Sequence, residues 1–116
     1  MTRQNHHNVL PIRGNGFVYI LSNPSFKQGI YKIGITTGTI SDRIRRLNNT
    51  STPSGFTVER LFEVRRKHLE AVERSAHLYL SSRQRHVGRE FFDASLAECE
   101  AAIESAIQSI RETVAE

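Results

Sequence analysis

Gly16 to Gly34, GFVYILSNPSFKQGIYKIG, constrains the fold more than any other stretch of the chain. Two apolar runs, Gly16 to Ser22 and Ile30 to Thr36, flank a segment rich in Asn, Pro, Ser and Gly. β-Branched and aromatic residues fill the runs, which suits strands, and the punctuating residues between them suit a turn. The stretch therefore reads as a β-hairpin with a polar loop over Asn23 to Gly29. Side chains alternate between faces along a strand. One face carries Tyr19 and Lys32. The other carries Val18, Ile20, Tyr31, Ile33 and Ile35 and feeds a core.

Downstream, the pattern changes period several times. Thr36 to Thr39 is a loop, and Thr39 followed by Asp42 resembles a capping box with Asp in place of Glu. A short helix follows to about Leu47, with Ile40, Ile44 and Leu47 on one face. Asn48 to Gly55 is rich in turn residues. Phe56 to Val64 alternates, with Phe56, Val58, Phe62 and Val64 expected on one side of a third strand. Arg60 and Leu61 break that alternation, which points to an edge position or a bulge. Arg66 to Ser81 is expected to be a helix with Leu69, Val72, Ala76, Tyr79 and Leu80 as its apolar stripe. Arg83 to Gly88 is a basic loop, and Arg89 to Phe92 a short extended or turn segment anchored by two Phe. Ser95-Leu96-Ala97-Glu98 is a capping box. It opens a C-terminal helix over 95–115 that carries Leu96, Cys99, Ile103, Ile107, Ile110 and Val114 at spacings of three and four. That stripe suits packing on the sheet, and it also fits a homodimer seam.

These elements give one domain over 14–116, preceded by a flexible arm over 1–13. The fold expected is α+β, a three-stranded antiparallel sheet flanked by helices in the order β-β-α-β-α-α. A chain of 116 residues can bury a core of its own. Its single cysteine, Cys99, excludes an intrachain disulfide and a cysteine-based zinc site. No apolar run approaches the ~18 residues of a membrane span. The polar N-terminus, MTRQNHHN, lacks the apolar core of a signal peptide, so a cytoplasmic location is expected. His6 and His7 are adjacent in that arm and could pick up a metal ion, but without further ligands nearby a disordered tail is the favoured reading.

Charge is unevenly distributed. Residues 1–90 hold 15 Lys or Arg against 6 Asp or Glu, whereas residues 91–116 hold 1 against 6. A basic body with an acidic last helix favours a polyanionic partner for the body. Of the 16 basic residues 13 are Arg, the side chain suited to bidentate phosphate contact.

The hairpin residues Phe17-Val18-Tyr19 and, after the loop, Lys32-Ile33-Gly34 resemble the two triplets of the GIY-YIG nuclease superfamily. Lys32 stands where the second tyrosine is usual. The string Gly29-Ile30-Tyr31 is a coincidence of register. The likeness is greatest to a branch that includes a phage-type DNA-binding domain, and it extends over Gly16 to Phe92. It implies a Mg²⁺- or Mn²⁺-dependent DNA endonuclease, or a DNA-binding module of the same fold without catalysis. By resemblance, Tyr19 assists nucleophile activation and Lys32 contacts phosphate. Arg43, nine residues after Gly34, resembles an electrophilic clamp on the scissile phosphate. Glu73, on the later helix, matches the metal-binding glutamate. His77, one turn beyond Glu73, could line the same cleft or serve as a hydrogen-bonded interface residue. Arg45, Arg46, Arg83, Arg85 and Arg89 are candidates for contacting the DNA backbone. Glu90 reads as structural.

Each assignment has a plainer counterpart when the residue is taken alone. Tyr19 is also an ordinary half-buried strand aromatic, and Lys32 a strand lysine with its head in water. The arginines suit a solvated surface, and Glu73 suits a helix-surface ion pair with Arg66, Lys67 or Arg74.

Overall fold

The hairpin forms where the alternation places it. The structure, a computed structural model, describes residues 9–26, 29–48, 55–83 and 90–115. Strand β1 (Asn15–Ser22) pairs antiparallel with β2 (Ile30–Thr36), so that Tyr19 faces Gly34 and Leu21 faces Lys32. Helix α1 (Ile40–Asn48) follows, then β3 (Thr57–Arg65), a 3₁₀ turn (Arg66–His68) and α2 (Leu69–Ser82). Strand β4 (Phe91–Asp93) and α3 (Leu96–Ala115) close the chain.

The sheet has four strands, in the order β3-β1-β2-β4, where the sequence led us to expect three. The added strand is the Phe91–Asp93 segment, which pairs antiparallel with Ile30–Lys32. Its three residues are too few to show a period. Its adjacent phenylalanines nevertheless point into opposite layers, as strand neighbours must: Phe92 into one core and Phe91 toward the other. The element order is thus β-β-α-β-α-β-α, with the 3₁₀ turn leading into α2.

The sheet separates two cores. On one face Val18, Ile20 and Ile33 pack against Leu69, Val72, Ala76 and Leu80 of α2 and Cys99, Ala102, Ile103 and Ala106 of α3. On the other face Tyr19 and Leu21 pack against Ile40 of α1 and Phe56. The α3 stripe is therefore engaged within the domain through these residues, with Ile107 and Ile110 half-buried beside them. The side chain of Val114 lies outside the described residues.

A break in register explains β3. Ile20 pairs with Arg60 but Leu21 pairs with Val58, so one extra residue is inserted at Glu59. The bulge turns Val58 and Phe56 to the α1 side and leaves Phe62 and Val64 on the α2–α3 side. The four residues expected to share one face therefore divide between two. β3 is a sheet edge, and the exposed charges Glu63 and Arg65 discourage further strand pairing there.

Both capping patterns form as expected. Thr39 Oγ1 accepts from the Asp42 N–H at 3.0 Å. Ser95 and Glu98 exchange reciprocal bonds, Glu98 N–H to Ser95 Oγ at 3.0 Å and Ser95 N–H to Glu98 Oε1 at 3.2 Å. The arm residues 1–8, including His6 and His7, lie outside the described residues, as do residues 49–54 of the turn-rich stretch.

Candidate functional site

β4 covers β2 only as far as Lys32, extended by a bond from the Ile33 N–H to the Glu90 carbonyl at 3.0 Å. Beyond that point the described strands leave the edge of β2 open from Gly34 to Thr36. The candidate residues gather at this opening, reaching it from both layers.

Tyr19 comes from β1 and lies across the hairpin over Gly34. A Cβ at position 34 would fall 2.6 Å from the Tyr19 ring Cζ, so the glycine is required for the phenol to occupy this place. Arg43 reaches the same point from α1, and its Nε–H donates to the Tyr19 hydroxyl at 3.0 Å. Thr39 caps α1 one residue before Ile40, and Ile40 is fully buried; together they fix the turn of α1 that carries Arg43. Lys32, diagonal to Tyr19 on the same face, is buried and ion-paired with Glu90, with its Nζ 5.3 Å from the Phe91 ring centroid.

Glu73 and His77 approach from α2, on the opposite layer, around the open edge. They line a hollow of about 400 Å³ with Ile35, Glu70 and Arg74. The His77 Nε2–H donates to the Ile33 carbonyl at 3.0 Å, and its ring lies against Phe92 with centroids 5.0 Å apart. That bond fixes α2 to the exposed edge of β2 and so positions Glu73, one turn earlier. Tyr19 and Arg43 do not line this hollow, and their link to Glu73 is electrostatic.

The charges interact across the edge. Burial pushes the Tyr19 phenol above its ordinary value, and the Arg43 hydrogen bond and charge oppose that shift without reversing it. Glu90 and Glu73 push it further up. The Arg43 guanidinium is held more firmly protonated, first by its bond to Tyr19 and also by Glu90 and Glu73. The Glu73 carboxyl is raised by desolvation first and then by Glu90, against the lowering influence of Lys32 and Arg43. Five residues distant in sequence thus share one field. Cys99 stands apart, a buried thiol pushed up to about 12 by desolvation and therefore inert at neutral pH.

The basic candidates fall in different places. Arg45 pairs with Asp42 at 2.7 Å on the exposed face of α1, and Arg46 is exposed beside it. Arg83 lies 3.8 Å over the Tyr79 ring centroid and donates to the Tyr79 carbonyl at 3.3 Å, which caps the end of α2. Arg85 and Arg89 lie outside the described residues. Sequence reasoning understated Glu90, whose side chain is the ion-pair partner of Lys32 and whose backbone begins the β4 pairing. Its place beside two phenylalanines that anchor a strand was the available sign.

Among the described residues no cluster of three or more His, Cys, Asp or Glu gathers to hold a metal. That donor set does not fit a metal requiring three or four protein ligands. It does fit a hard divalent cation bound by one or two carboxylates, with water and phosphate oxygens completing its shell. Glu73, its carboxyl raised by burial first and then by the neighbouring Glu90 charge, is a carboxylate that a cation would relieve. No helix among the described residues is long and apolar enough to cross a membrane.

Residues 16–107 match the family model of the T5orf172 domain, a domain found in phage and nuclease-like proteins. No curated protein and no solved structure matches the chain.

Proposed function

The chain belongs to the T5orf172 domain family, and from that premise we propose that it is a small metal-dependent DNA endonuclease of GIY-YIG type. The observation that supports this most is the Arg43 Nε–H bond to the Tyr19 hydroxyl, formed within the field of Glu73 and Glu90. Hydrolysis forms a bond from a water oxygen to phosphorus, breaks the bond to the leaving sugar oxygen, and returns a proton to that oxygen.

Each residue has a distinct part. Arg43 uses one N–H on Tyr19 and presents its other donors to the phosphate oxygens, where negative charge grows in the transition state. The Tyr19 phenol accepts from Arg43 and keeps its own proton at neutral pH, since burial raises its pKa. It therefore serves as a proton relay, its oxygen taking a proton from the attacking water as its own proton passes to a phosphate oxygen and on to the leaving sugar oxygen, not as a standing phenolate base. Glu73 would hold Mg²⁺ or Mn²⁺, with Glu90 as its acidic neighbour. Such an ion supplies Lewis-acid stabilisation of the departing oxygen. Lys32 adds positive charge beside the phosphate, tempered by its pairing with Glu90.

Supercoiled plasmid with Mg²⁺ or Mn²⁺ tests the reading. The protein should nick it, and Glu73→Ala should slow nicking by on the order of 100-fold, the scale of losing one transition-state contact. Equal nicking by both proteins removes Glu73 from the reaction.

A second reading is a DNA-binding module without catalysis. It is favoured by the occupancy of the second-tyrosine position, where Lys32 is already neutralised by Glu90. It predicts salt-sensitive DNA binding and no cleavage with any divalent ion.

A further inference from the structure

We infer that the turn Arg65-Arg66-Lys67-His68 is a second DNA-backbone contact, which holds a duplex in register with the site at the open edge of β2. The inference rests on the DNA-directed reading above and adds to it a surface that neither the hairpin nor its catalytic candidates include.

Arg65, Arg66 and Lys67 are exposed, and His68 is half-exposed. None of the ion pairs among the described residues involves them. Three neighbouring cations with no ion-pair partner among the described residues repel one another and attract a polyanion. The nearby carboxylate of Glu63 offsets part of this charge without forming an ion pair with any of the three. Its Oε2 instead accepts from the Ile12 N–H at 2.6 Å and from Asn15 Nδ2 at 3.0 Å. Arg65, Lys67, His68 and Arg111 edge a groove of about 520 Å³ at this end of the domain. The turn therefore places a basic rim beside a groove whose floor is aliphatic, with Glu63 as the one carboxylate lining it among the described residues.

Its position follows from the strands. Arg65 pairs with Asn15 at the end of the sheet, and the Arg66 N–H is bonded to the Gly14 carbonyl at 2.8 Å. Leu69 then packs so closely on Gly16 that a Cβ there would lie 2.5 Å from Leu69 Cδ1 and 2.9 Å from the Thr36 carbonyl oxygen. The turn thus crosses the sheet end toward the finish of β2. From there α2 runs along the open edge, bringing Glu73 and then His77 beside it. Seven residues separate Arg66 from Glu73. At about 2.0 Å per residue in the turn and about 1.5 Å in the helix, the separation is about 12 Å. That separation corresponds to a few nucleotides of one duplex strand, which rises about 3.4 Å per nucleotide along its axis.

The turn is held by backbone bonds and by Leu69, so its cationic side chains can be removed without disturbing the fold. A labelled duplex of arbitrary sequence, titrated in EDTA over a range of KCl, tests the contact apart from cleavage. The wild type should bind with steep salt dependence. The triple variant Arg65→Ser, Arg66→Ser, Lys67→Ser should bind at least about tenfold more weakly at low salt, with its salt slope reduced by about two to three, or ~0.9 per lost phosphate contact. Arg60→Gln, which removes a cation paired with Glu100, should leave the slope unchanged. Thermal midpoints show that each variant is folded. A triple variant with the wild-type slope and affinity overturns the inference while the DNA-directed reading stands. Failure of the wild type to bind duplex at all overturns both.

Discussion

At the scale of single residues, the site depends on what is missing at position 34. Tyr19 occupies the space that any other residue's Cβ would take. Gly34→Ala should cost about 1–3 kcal/mol, the usual penalty for overpacking, and should displace the hydroxyl from Arg43. Gly38→Ala, with nothing within 4 Å of its Cβ position, is the matching control and should be close to neutral. Urea midpoints for the two variants decide whether the strain is local to the phenol. Glu73 gives a prediction of opposite sign. Its folded pKa is raised, so the stability it contributes is fully present below the unfolded carboxyl value near 4.5 and lost as pH rises through the folded value. At neutral pH the domain therefore carries an unfavourably placed charge. In EDTA, Glu73→Gln should raise the thermal midpoint at neutral pH, and the gain should shrink to nothing as pH falls below 4.5. A glutamine variant that is less stable at neutral pH would contradict the raised pKa. A carboxylate kept at a cost to stability is the usual mark of a functional group.

At the scale of elements, strand β4 ties the site together. Phe92 is fully buried against the His77 ring, and Glu90 beside it carries the partner of Lys32. Phe92→Ala should cost about 3–5 kcal/mol, whereas Phe91→Ala, half-exposed on the other face, should cost clearly less. Similar small losses in urea titrations would mean that β4 is not anchored as described. The hairpin, both helical caps and the stripes of α2 and α3 were legible because each follows a period or a fixed offset. β4 was not, because three residues show no period and its pairing depends on contacts with residues 30–32, some 60 positions earlier. The bulge in β3 was visible as a break at Arg60 and Leu61, but its consequence for Phe56 and Val58 needed the register with β1. For the candidate site, Tyr19, Lys32, Arg43 and Glu73 were singled out through motif likeness, while spacing along the chain could not reveal the Lys32–Glu90 pair.

At the scale of the whole molecule, charge and topology agree. Residues 1–90, which build the open edge of β2, carry 15 of the 16 basic residues, whereas residues 91–116 carry 6 of the 12 acidic ones and a single arginine. α1 and α2 lie on opposite faces of the sheet and can meet only where that edge is uncovered, which is where Arg43, Tyr19 and Glu73 share a field. The central claim is that groups from separate layers act there as one phosphate-hydrolysing unit. Single-turnover cleavage of plasmid in Mn²⁺ by wild type, Tyr19→Phe, Arg43→Ala and the double variant tests it most directly. Residues acting as a unit should be strongly non-additive, with the double variant about as slow as the slower single variant. Additive losses, or four proteins cleaving at one rate, would contradict it.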